Sequence, residues 1–288
     1  MNINHSKNPD LQQSEWPEPT PRNDWYQNWS LFKNKAVFFD LDGTLLNTAG
    51  DLGLAANALR AEKNLAPLPL KILRPHTSRG ARGMIEVALG IKWDDPSYED
   101  LRIKFLAKYE KCLLETTDFM PGMENLITTL EKNKILWGIV TNKHEKYTLP
   151  IIKGLKLFDR CSTLVCGDTT DFCKPHPAPL QLATKNLGLK PQAVVYIGDD
   201  PRDIQSGFNA GCWTIGVAFE TFVERTEANK WQADEVVFTS EEIESVIAKV
   251  RAKVPEVAIR TSVMVGFPGE TEEQFESLAQ FVETVKFD

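Results

Sequence analysis

The chain has 288 residues, of which 42% are hydrophobic and 25% charged, and its formal net charge is −7. This composition is typical of a globular protein with a sizeable core, and an acidic balance without a Lys/Arg run argues against a nucleic-acid-binding surface. No apolar run reaches the roughly 18 residues that a membrane-spanning helix needs. The five scattered cysteines form neither a CxxC pair nor a Cys/His cluster, which favours reduced thiols in the cytoplasm over a zinc site or a disulfide framework.

The first segment, residues 1–33, is rich in Asn, Gln, Pro and Ser, and it therefore predicts a disordered or extended N-terminal arm. It also carries Trp16, Trp25 and Trp29, and such aromatic content is unusual in a disordered chain. Packing of the arm on the domain or on a partner stays open, as does the oligomeric state.

The next segment is an apolar run, residues 36–39, which predicts a buried strand that stops at Asp40. Asp42 and Gly43 follow at once. A buried strand does not tolerate an unpaired charge, so both carboxylates should lie at its exit, where open α/β sheets bind ligands. The pair could supply a nucleophile and an acid–base group for phosphate-ester hydrolysis, or it could be two unrelated acids in a solvated turn.

Residues 51–118 have helical character, and from Leu101 to Leu113 every fourth residue is apolar or aromatic. No good strand appears, so the segment predicts a small helical cap domain inserted after the first strand. Arg79 and Arg82 lie in it. They could bind a substrate carboxylate through their guanidinium groups, or they could be exposed arginines on a helix.

From residue 119 to residue 252 predicted helices alternate with predicted strands. The strands cover residues 135–140, 162–166, 193–197, 213–217 and 236–238. This alternation predicts an α/β fold with a doubly wound parallel sheet, in which residues 34–50 and 119–252 form the core.

Two polar sites follow the middle strands. Thr141 and Asn142 end the strand 135–140, where a hydroxyl and neighbouring backbone N–H groups can bind a phosphate oxygen. Lys174 precedes Pro175, whose ring stiffens the loop and limits where the ammonium group points. A strand-ending threonine and a surface lysine are the simpler interpretations.

Three carboxylates, Asp199, Asp200 and Asp203, stand within five residues after the strand 193–197. Such a cluster repels itself unless a cation neutralises it, and oxygen ligands favour Mg²⁺. The alternative is an acidic helix N-terminus, where the helix dipole stabilises the charges.

The motif Asp-x-Asp-Gly-Thr at residues 40–44, with the later sites at 141, 174 and 199, resembles the haloacid dehalogenase-like (HAD) phosphohydrolase superfamily. The strings at residues 137–143 and 174–180 are similar to its phosphoglycolate-phosphatase-like group. This resemblance implies a Rossmann-like core with a helical cap, Mg²⁺ dependence and a small phosphorylated metabolite as substrate.

The resemblance also implies a role for each matching residue. Asp40 is the nucleophile and Asp42 the acid–base group. Thr141 and Asn142 bind phosphate, and Lys174 steadies the nucleophile and the phosphate. The Mg²⁺ ligands are Asp199, an Asp40 oxygen and the Asp42 backbone carbonyl, and the supporting acids are Asp200 and Asp203.

The favoured substrate is 2-phosphoglycolate. A phosphatase or phosphomutase for a sugar phosphate, including N-acetylmuramic acid 6-phosphate, is the alternative, and a non-catalytic binding module with this fold is the alternative of another class. Asp42 disfavours dehalogenases and transport ATPases, which lack that residue.

The last segment, residues 253–288, predicts a strand followed by a helix after the HAD-like pattern is complete. Its string at residues 265–271 resembles a fragment of a radical-SAM methylthiotransferase. The cysteine cluster of that family is absent from the chain. The tail could be a native part of the fold, a fused fragment or the product of a misjoined reading frame.

Overall fold

The computed structural model describes residues 36–132, 134–219 and 229–238. The predicted N-terminal arm at residues 1–33, the helix expected near residues 243–250 and the βα tail at residues 253–288 lie outside the described residues. Among the described residues, no helix is both long enough and apolar enough to cross a membrane.

Helices and strands alternate along the described chain, with one helical block after the first strand. In chain order they are β1 (Ala36–Phe39), β2 (Leu46–Asn47), α1 (Ala49–Glu62), α2 (Leu70–Leu73), a 3-10 helix (Arg74–Arg79), α3 (Gly80–Leu89), α4 (Tyr98–Lys111), β3 (Asp118–Phe119), α5 (Met123–Lys132), β4 (Leu136–Val140), α6 (Glu145–Gly154), β5 (Thr163–Val165), α7 (Ala178–Asn186), a 3-10 helix (Pro191–Ala193), β6 (Val194–Gly198), α8 (Pro201–Ala210), β7 (Trp213–Val217), a 3-10 helix (Asn229–Trp231) and β8 (Glu235–Val237).

Six parallel strands form one sheet in the order β5-β4-β1-β6-β7-β8. Strand β1 is central, and its Phe39 is in register with Ile139 of β4 on one side and with Ile197 of β6 on the other. The chain runs outward through β4 and β5, then returns to the other side of β1, so the strand order reverses beside β1. The predicted doubly wound parallel sheet is confirmed, and the reversal places a crevice at the carboxyl end of β1.

Alternate residues of β1 support the two faces of the sheet. Phe39 joins an apolar cluster with Trp137 and Ile151 on one face, and Phe38 joins Leu180 and its neighbours on the other. Because helices cover both faces, the strand reads as a continuous apolar run rather than an alternating one.

Helices α1 to α4 pack around an apolar cluster of their own, which includes Leu59, Met84 and Phe105. They lie between β2 and β3, which pair antiparallel where the chain leaves and rejoins the sheet domain. This two-residue strand pair was not predicted, since strands so short carry no periodic signal. The helical insertion after the first strand was predicted.

A buried carboxylate, Asp51 at the start of α1, fastens the two ends of the helical block together. It accepts hydrogen bonds from the backbone N–H groups of Leu114 and Thr116 and from the hydroxyl groups of Thr116 and Thr117, at 2.6–2.8 Å. A carboxylate with so many donors is fully compensated for burial, so we assign it a structural role.

Candidate active site

Asp40 begins the site at the exit of β1. Its backbone N–H donates to the Ile197 carbonyl at 2.9 Å, which extends the sheet ladder by one residue and aims the side chain along the carboxyl edge. Gly43 follows with φ of +92°, in the left-handed region that favours glycine. A Cβ there would lie 2.3 Å from Asp199 Oδ2, so only glycine lets this turn approach Asp199.

Lys174 is the best-connected side chain of the site, and it is 2% exposed. Its Nζ donates to Asp40 Oδ1 and Asp203 Oδ1, both at 2.6 Å, and lies 2.7 Å from the Tyr196 hydroxyl and 3.0 Å from the Val140 carbonyl. Burial alone would lower the pKa of Lys174, but the charges of Asp203 and Asp40 raise it overall. The lysine is therefore held as an ammonium ion between two carboxylates.

Asp199 lies on the same edge, after β6. Its oxygens accept hydrogen bonds from the Thr44 hydroxyl at 2.9 Å and the Ser78 hydroxyl at 3.0 Å. Burial, with the nearby charges of Asp40 and Asp203, raises its pKa well above the usual range for aspartate. Both of these donors are neutral hydroxyl groups. A buried carboxylate with such donors is costly to ionise unless a cation binds beside it.

One carboxylate oxygen from each of Asp40, Asp199 and Asp203 lies within 4.8 Å of the others, and all three residues are buried. Burial raises the pKa of Asp40 to about 7, although Lys174 acts in the opposite direction. These three carboxylates could share one cation. Asp42 does not join them through its side chain, so only its backbone carbonyl is left for the predicted ligand role.

The Asp42 side chain points to a different partner. Both of its oxygens accept hydrogen bonds from Lys143 Nζ, at 2.9 and 3.0 Å, and Oδ1 also accepts from the Thr48 hydroxyl at 2.6 Å. Sequence reasoning missed Lys143, although it directly follows the predicted site Thr141 and Asn142.

Asp200 and Asp203 have separate roles at the start of α8. Asp200 accepts from the Arg202 backbone at 2.9 Å, and both of its oxygens accept from the Arg202 guanidinium. Burial alone would raise the pKa of Asp200, but Arg202 lowers it overall. Asp203, not Asp200, contacts Lys174. Both acids match the helix-capping alternative, because Asp203 Oδ2 also accepts from the Asp200 backbone N–H at 3.2 Å, and Asp203 matches the supporting role as well.

The predicted phosphate-binding pair also divides. Thr141 is buried and lines the cavity described below, with its hydroxyl accepting from the Lys143 backbone at 3.2 Å. The Asn142 amide donates to the Lys174 carbonyl and accepts from the Lys174 backbone N–H, both at 2.9 Å. Asn142 thus holds the lysine loop in place, and its side chain is engaged there.

A cavity of about 590 Å³ opens above this edge of the sheet, between the helical block and the strands. Its floor includes Asp40, Asp42 and Lys174, and an apolar wall comes from Phe105, Leu106, Tyr109 and Tyr147. The cations that line it are Arg79, Arg102, Lys143, Lys146, Lys174 and Arg202.

The two predicted cap arginines are placed differently. Arg79 lines the cavity and pairs with Glu86 at 2.5 Å. Arg82 is not among the lining residues, and its guanidinium carbon lies 4.9 Å from the centre of the Trp93 ring. A cap group that sequence reasoning missed, Ser78, reaches Asp199 directly.

A doubly wound sheet with buried aspartates, a bridging lysine and a cavity at one carboxyl edge defines a Rossmann-like α/β protein with a candidate active site at its strand ends. The sequence profile of the haloacid dehalogenase-like hydrolases matches residues 37–217, which is more than half of the chain. The chain belongs to that family.

Known proteins similar to this chain include phosphatases and hydrolases. An N-acetylmuramic acid 6-phosphate phosphatase of Pseudomonas putida is 38% identical over 213 residues, covering 74% of this chain and 96% of the relative. A phosphoglycolate phosphatase of Xanthomonas campestris pv. campestris is 38% identical over 203 residues, covering 70% and 91%. A solved haloacid dehalogenase-like family hydrolase from Streptococcus pneumoniae has a TM-score of 0.63 at 18% identity, covering 74% and 98%, and shows the fold alone.

Proposed function

We propose that this protein hydrolyses a phosphomonoester through an aspartyl-phosphate on Asp40. The chain is a phosphatase of the haloacid dehalogenase-like family and acts on a small phosphorylated metabolite. The observation that carries the proposed mechanism is the contact between Lys174 and Asp40. Lys174 holds the Asp40 side chain at the floor of the cavity and compensates the negative charge of Asp40. Asp42 lines the same cavity and could exchange a proton with the reacting oxygen.

In the first step, an Asp40 oxygen attacks phosphorus while the bond from phosphorus to the substrate oxygen breaks. Asp42 gives its proton to the departing oxygen, which leaves as an alcohol. In the second step, water attacks phosphorus, the bond to Asp40 breaks, and Asp42 takes the proton. Lys174 stabilises Asp40 as a carboxylate before the first step and after the second.

Charge counting supports a divalent cation. The carboxylates at this edge are Asp40, Asp42, Asp199, Asp200 and Asp203, and the cations in contact with them are Lys143, Lys174 and Arg202. With all five acids ionised, two negative charges are uncompensated. Oxygen-only donors fit Mg²⁺, and Asp40 and Asp199 would hold it with the Asp42 backbone carbonyl. Bound there, Mg²⁺ would neutralise charge on the transferring phosphoryl group.

Magnesium is expected to raise the melting temperature more at pH 8 than at pH 5, and EDTA should abolish both the gain and the turnover. Because burial raises the pKa of Asp40 to about 7, this group holds a proton at pH 5 that a cation must displace. At pH 8 Asp40 is mostly ionised, and the cation relieves its repulsion with the neighbouring carboxyl groups. Thermal-shift titrations with MgCl₂ at the two pH values measure this, and an equal gain at both would contradict it.

The two similar phosphatases do not decide the substrate, since each is 38% identical to this chain. The cavity favours a larger molecule than 2-phosphoglycolate, because about 590 Å³ lies in the range that buries drug-sized ligands. A two-carbon acid would leave the wall of Phe105, Tyr109 and Tyr147 uncovered. A phosphorylated amino-sugar acid such as N-acetylmuramic acid 6-phosphate could pack its ring on that wall and reach a cavity-lining arginine with its carboxylate.

Arg79→Ala is expected to lower kcat/KM for N-acetylmuramic acid 6-phosphate about tenfold while changing p-nitrophenyl phosphate hydrolysis little. The reason is that Arg79 lines the cavity and could bind the substrate carboxylate, a contact worth about 1.5–3 kcal/mol. Glu86 already pairs with Arg79 and competes with the substrate for it, so the expected loss is at the lower end of that range. Arg82→Ala is the matched control, because its guanidinium lies over Trp93. If both variants, or neither, change the substrate ranking, the carboxylate-reading role of Arg79 is wrong.

The proposed mechanism is tested by trapping the intermediate. Enzyme mixed with excess p-nitrophenyl phosphate and Mg²⁺, then quenched in acid, should carry a phosphate on the peptide that contains Asp40. Mass spectrometry locates the modification. A quenched enzyme with no phosphate under turnover conditions, or with the phosphate on another residue, would overturn the aspartyl-phosphate mechanism. In a parallel reaction with a hexose phosphate, transfer of the phosphate to a second sugar position would indicate a mutase, and absence of turnover of either substrate would indicate a binding module.

We also propose that residues 51–118 act as a cap domain over a core of residues 34–50 and 119–252. The separate apolar cluster of helices α1 to α4 supports this division.

We place the protein in the cytoplasm. All five cysteines lie in the described residues and none is in a disulfide, which suits a reducing compartment.

A further inference from the structure

Lys143 forms an ion pair that the proposed mechanism has not used. Its side chain is 7% exposed, and its Nζ donates to both oxygens of Asp42. Burial alone would lower the pKa of Lys143, but the charge of Asp42 and the neighbouring Tyr109 raise it overall. A buried ammonium bound by both oxygens of one carboxylate fixes the plane of that carboxylate as well as its position.

The helical block covers this pair. Tyr109, on α4, is buried, and the Lys143 ammonium lies 4.7 Å from the centre of its ring, over the face. The Tyr109 hydroxyl makes no hydrogen bond within the described residues, and the ring face is the part of Tyr109 that lies over the ammonium group. An aromatic face over an ammonium is attractive and also keeps water away from it.

Each cation of the site serves its own carboxylates. Lys174 bridges Asp40 and Asp203, and Arg202 binds Asp200. Lys143 contacts Asp42 only, and no other ion pair to Asp42 occurs in the described part of the chain. A substitution at Lys143 therefore acts on Asp42 before it acts on any other acid.

We propose that Lys143, covered by Tyr109, is the positioning residue that orients Asp42 as the base for hydrolysis of the aspartyl-phosphate. This inference rests on the proposed function. The two hydrogen bonds from Lys143 fix the orientation of the Asp42 carboxyl group, which lines the same cavity as Asp40.

The step assigned to this arrangement is the second half of the reaction. The water oxygen attacks phosphorus, the bond between phosphorus and the Asp40 oxygen breaks, and its electron pair returns to Asp40 as a carboxylate. The proton of the attacking water goes to Asp42. Lys143 takes no proton and forms no bond to phosphorus. Its part is to keep one Asp42 oxygen aimed at the water.

Lys143→Met is the main test, with p-nitrophenyl phosphate as substrate and Mg²⁺ present. The p-nitrophenolate leaving group needs no proton, so formation of the aspartyl-phosphate should stay fast while its hydrolysis slows. We expect kcat to fall about 100-fold, within the usual range for a lost acid–base contribution. A burst of p-nitrophenol approaching one equivalent per enzyme should precede the slow phase, and acid-quenched enzyme should be mostly phosphorylated.

Three further variants separate positioning from folding. Lys143→Arg keeps the charge and should recover part of the lost rate. Tyr109→Leu should lower kcat about 3- to 30-fold with the same burst, and Tyr109→Phe, which keeps the ring, should lower kcat less and give a smaller burst. Lys153→Met is the matched control, because Lys153 lies over the Phe158 ring at 5.1 Å and does not line the cavity. Melting temperatures confirm that each variant is folded.

The outcomes are distinct. A fall in kcat without a burst and without accumulated phosphoenzyme would overturn the positioning role, as would an unchanged kcat with a raised KM, which would make Lys143 a substrate-binding residue. If Lys143→Met does not fold, the Tyr109→Leu and Tyr109→Phe pair decides the question by the same burst. If the wild type itself shows no phosphate on Asp40 after quenching, the proposed function fails, and that result is separate from a failure of this inference.

Discussion

Asp40→Asn is expected to abolish turnover, with a loss of kcat of about 10⁴-fold or more, while the protein stays folded. The neutral amide cannot attack phosphorus, and removal of one group of a covalent mechanism costs several powers of ten in rate. The measurement is hydrolysis of p-nitrophenyl phosphate under saturating Mg²⁺, with the melting temperature recorded on the same sample.

The fold should survive because the substitution removes an expensive charge. Burial raises the pKa of Asp40 to about 7, so ionisation of that group in the metal-free protein opposes folding near neutral pH. Lys174 keeps Asp203 as a partner when Asp40 becomes an amide. Asp118→Asn makes the same chemical change at an exposed position and is therefore the matched control. Hydrolysis above one percent of the wild-type rate would place the nucleophile on another residue.

Much of this architecture could be predicted from local pattern. The run that ends at Asp40 is apolar on both faces because β1 is the central strand, covered by helices on either side. Strand β7 was predicted at its observed bounds, and the other predicted core strands were right within one or two residues. The polar residues after β1, β4 and β6 meet at one edge, since parallel strands all end there.

What could not be predicted are the contacts between distant segments. Nothing local signals that Asp51 collects hydrogen bonds from residues 114–117, or that Lys143 pairs with Asp42 across the edge of the sheet. Tyr196 faces Lys174 from within β6, where a tyrosine reads simply as an aromatic strand residue. These partners are set by tertiary packing, and a single sequence does not record it.

Residues that are close in sequence can also be directed to different places. Asp200 and Asp203 were predicted as one supporting pair, and together they cap the start of α8, but their side chains bind different cations. Asp200 binds Arg202, and Asp203, in the first turn of the helix, binds Lys174. Arg79 and Arg82 are separated in the same way, because the chain passes from a 3-10 helix into α3 between them.

Lys174→Met should be the most destabilising single change in the site. Removal of the ammonium leaves Asp40 and Asp203 buried without their shared cation, next to Asp199. Loss of one partner of a buried ion pair typically costs about 3–5 kcal/mol, because the remaining charges stay desolvated. We expect this loss in metal-free protein at pH 8, measured as the free energy of unfolding in urea, together with loss of turnover.

The pH dependence of that loss identifies its cause. Without Lys174 the pKa of Asp40 should rise further, so the folded protein binds more protons than the unfolded chain above about pH 4, and stability falls as the pH rises. Lowering the pH to 5.5 should therefore restore much of the stability, because the buried acids take up protons. Added Mg²⁺ should restore part of it at pH 8. Lys146→Met, which removes an exposed pair with Glu110 and a contact with the Tyr147 ring but no partner of a buried carboxylate, should show neither response. A loss that is the same at both pH values would mean that Lys174 stabilises the fold by packing rather than by its charge.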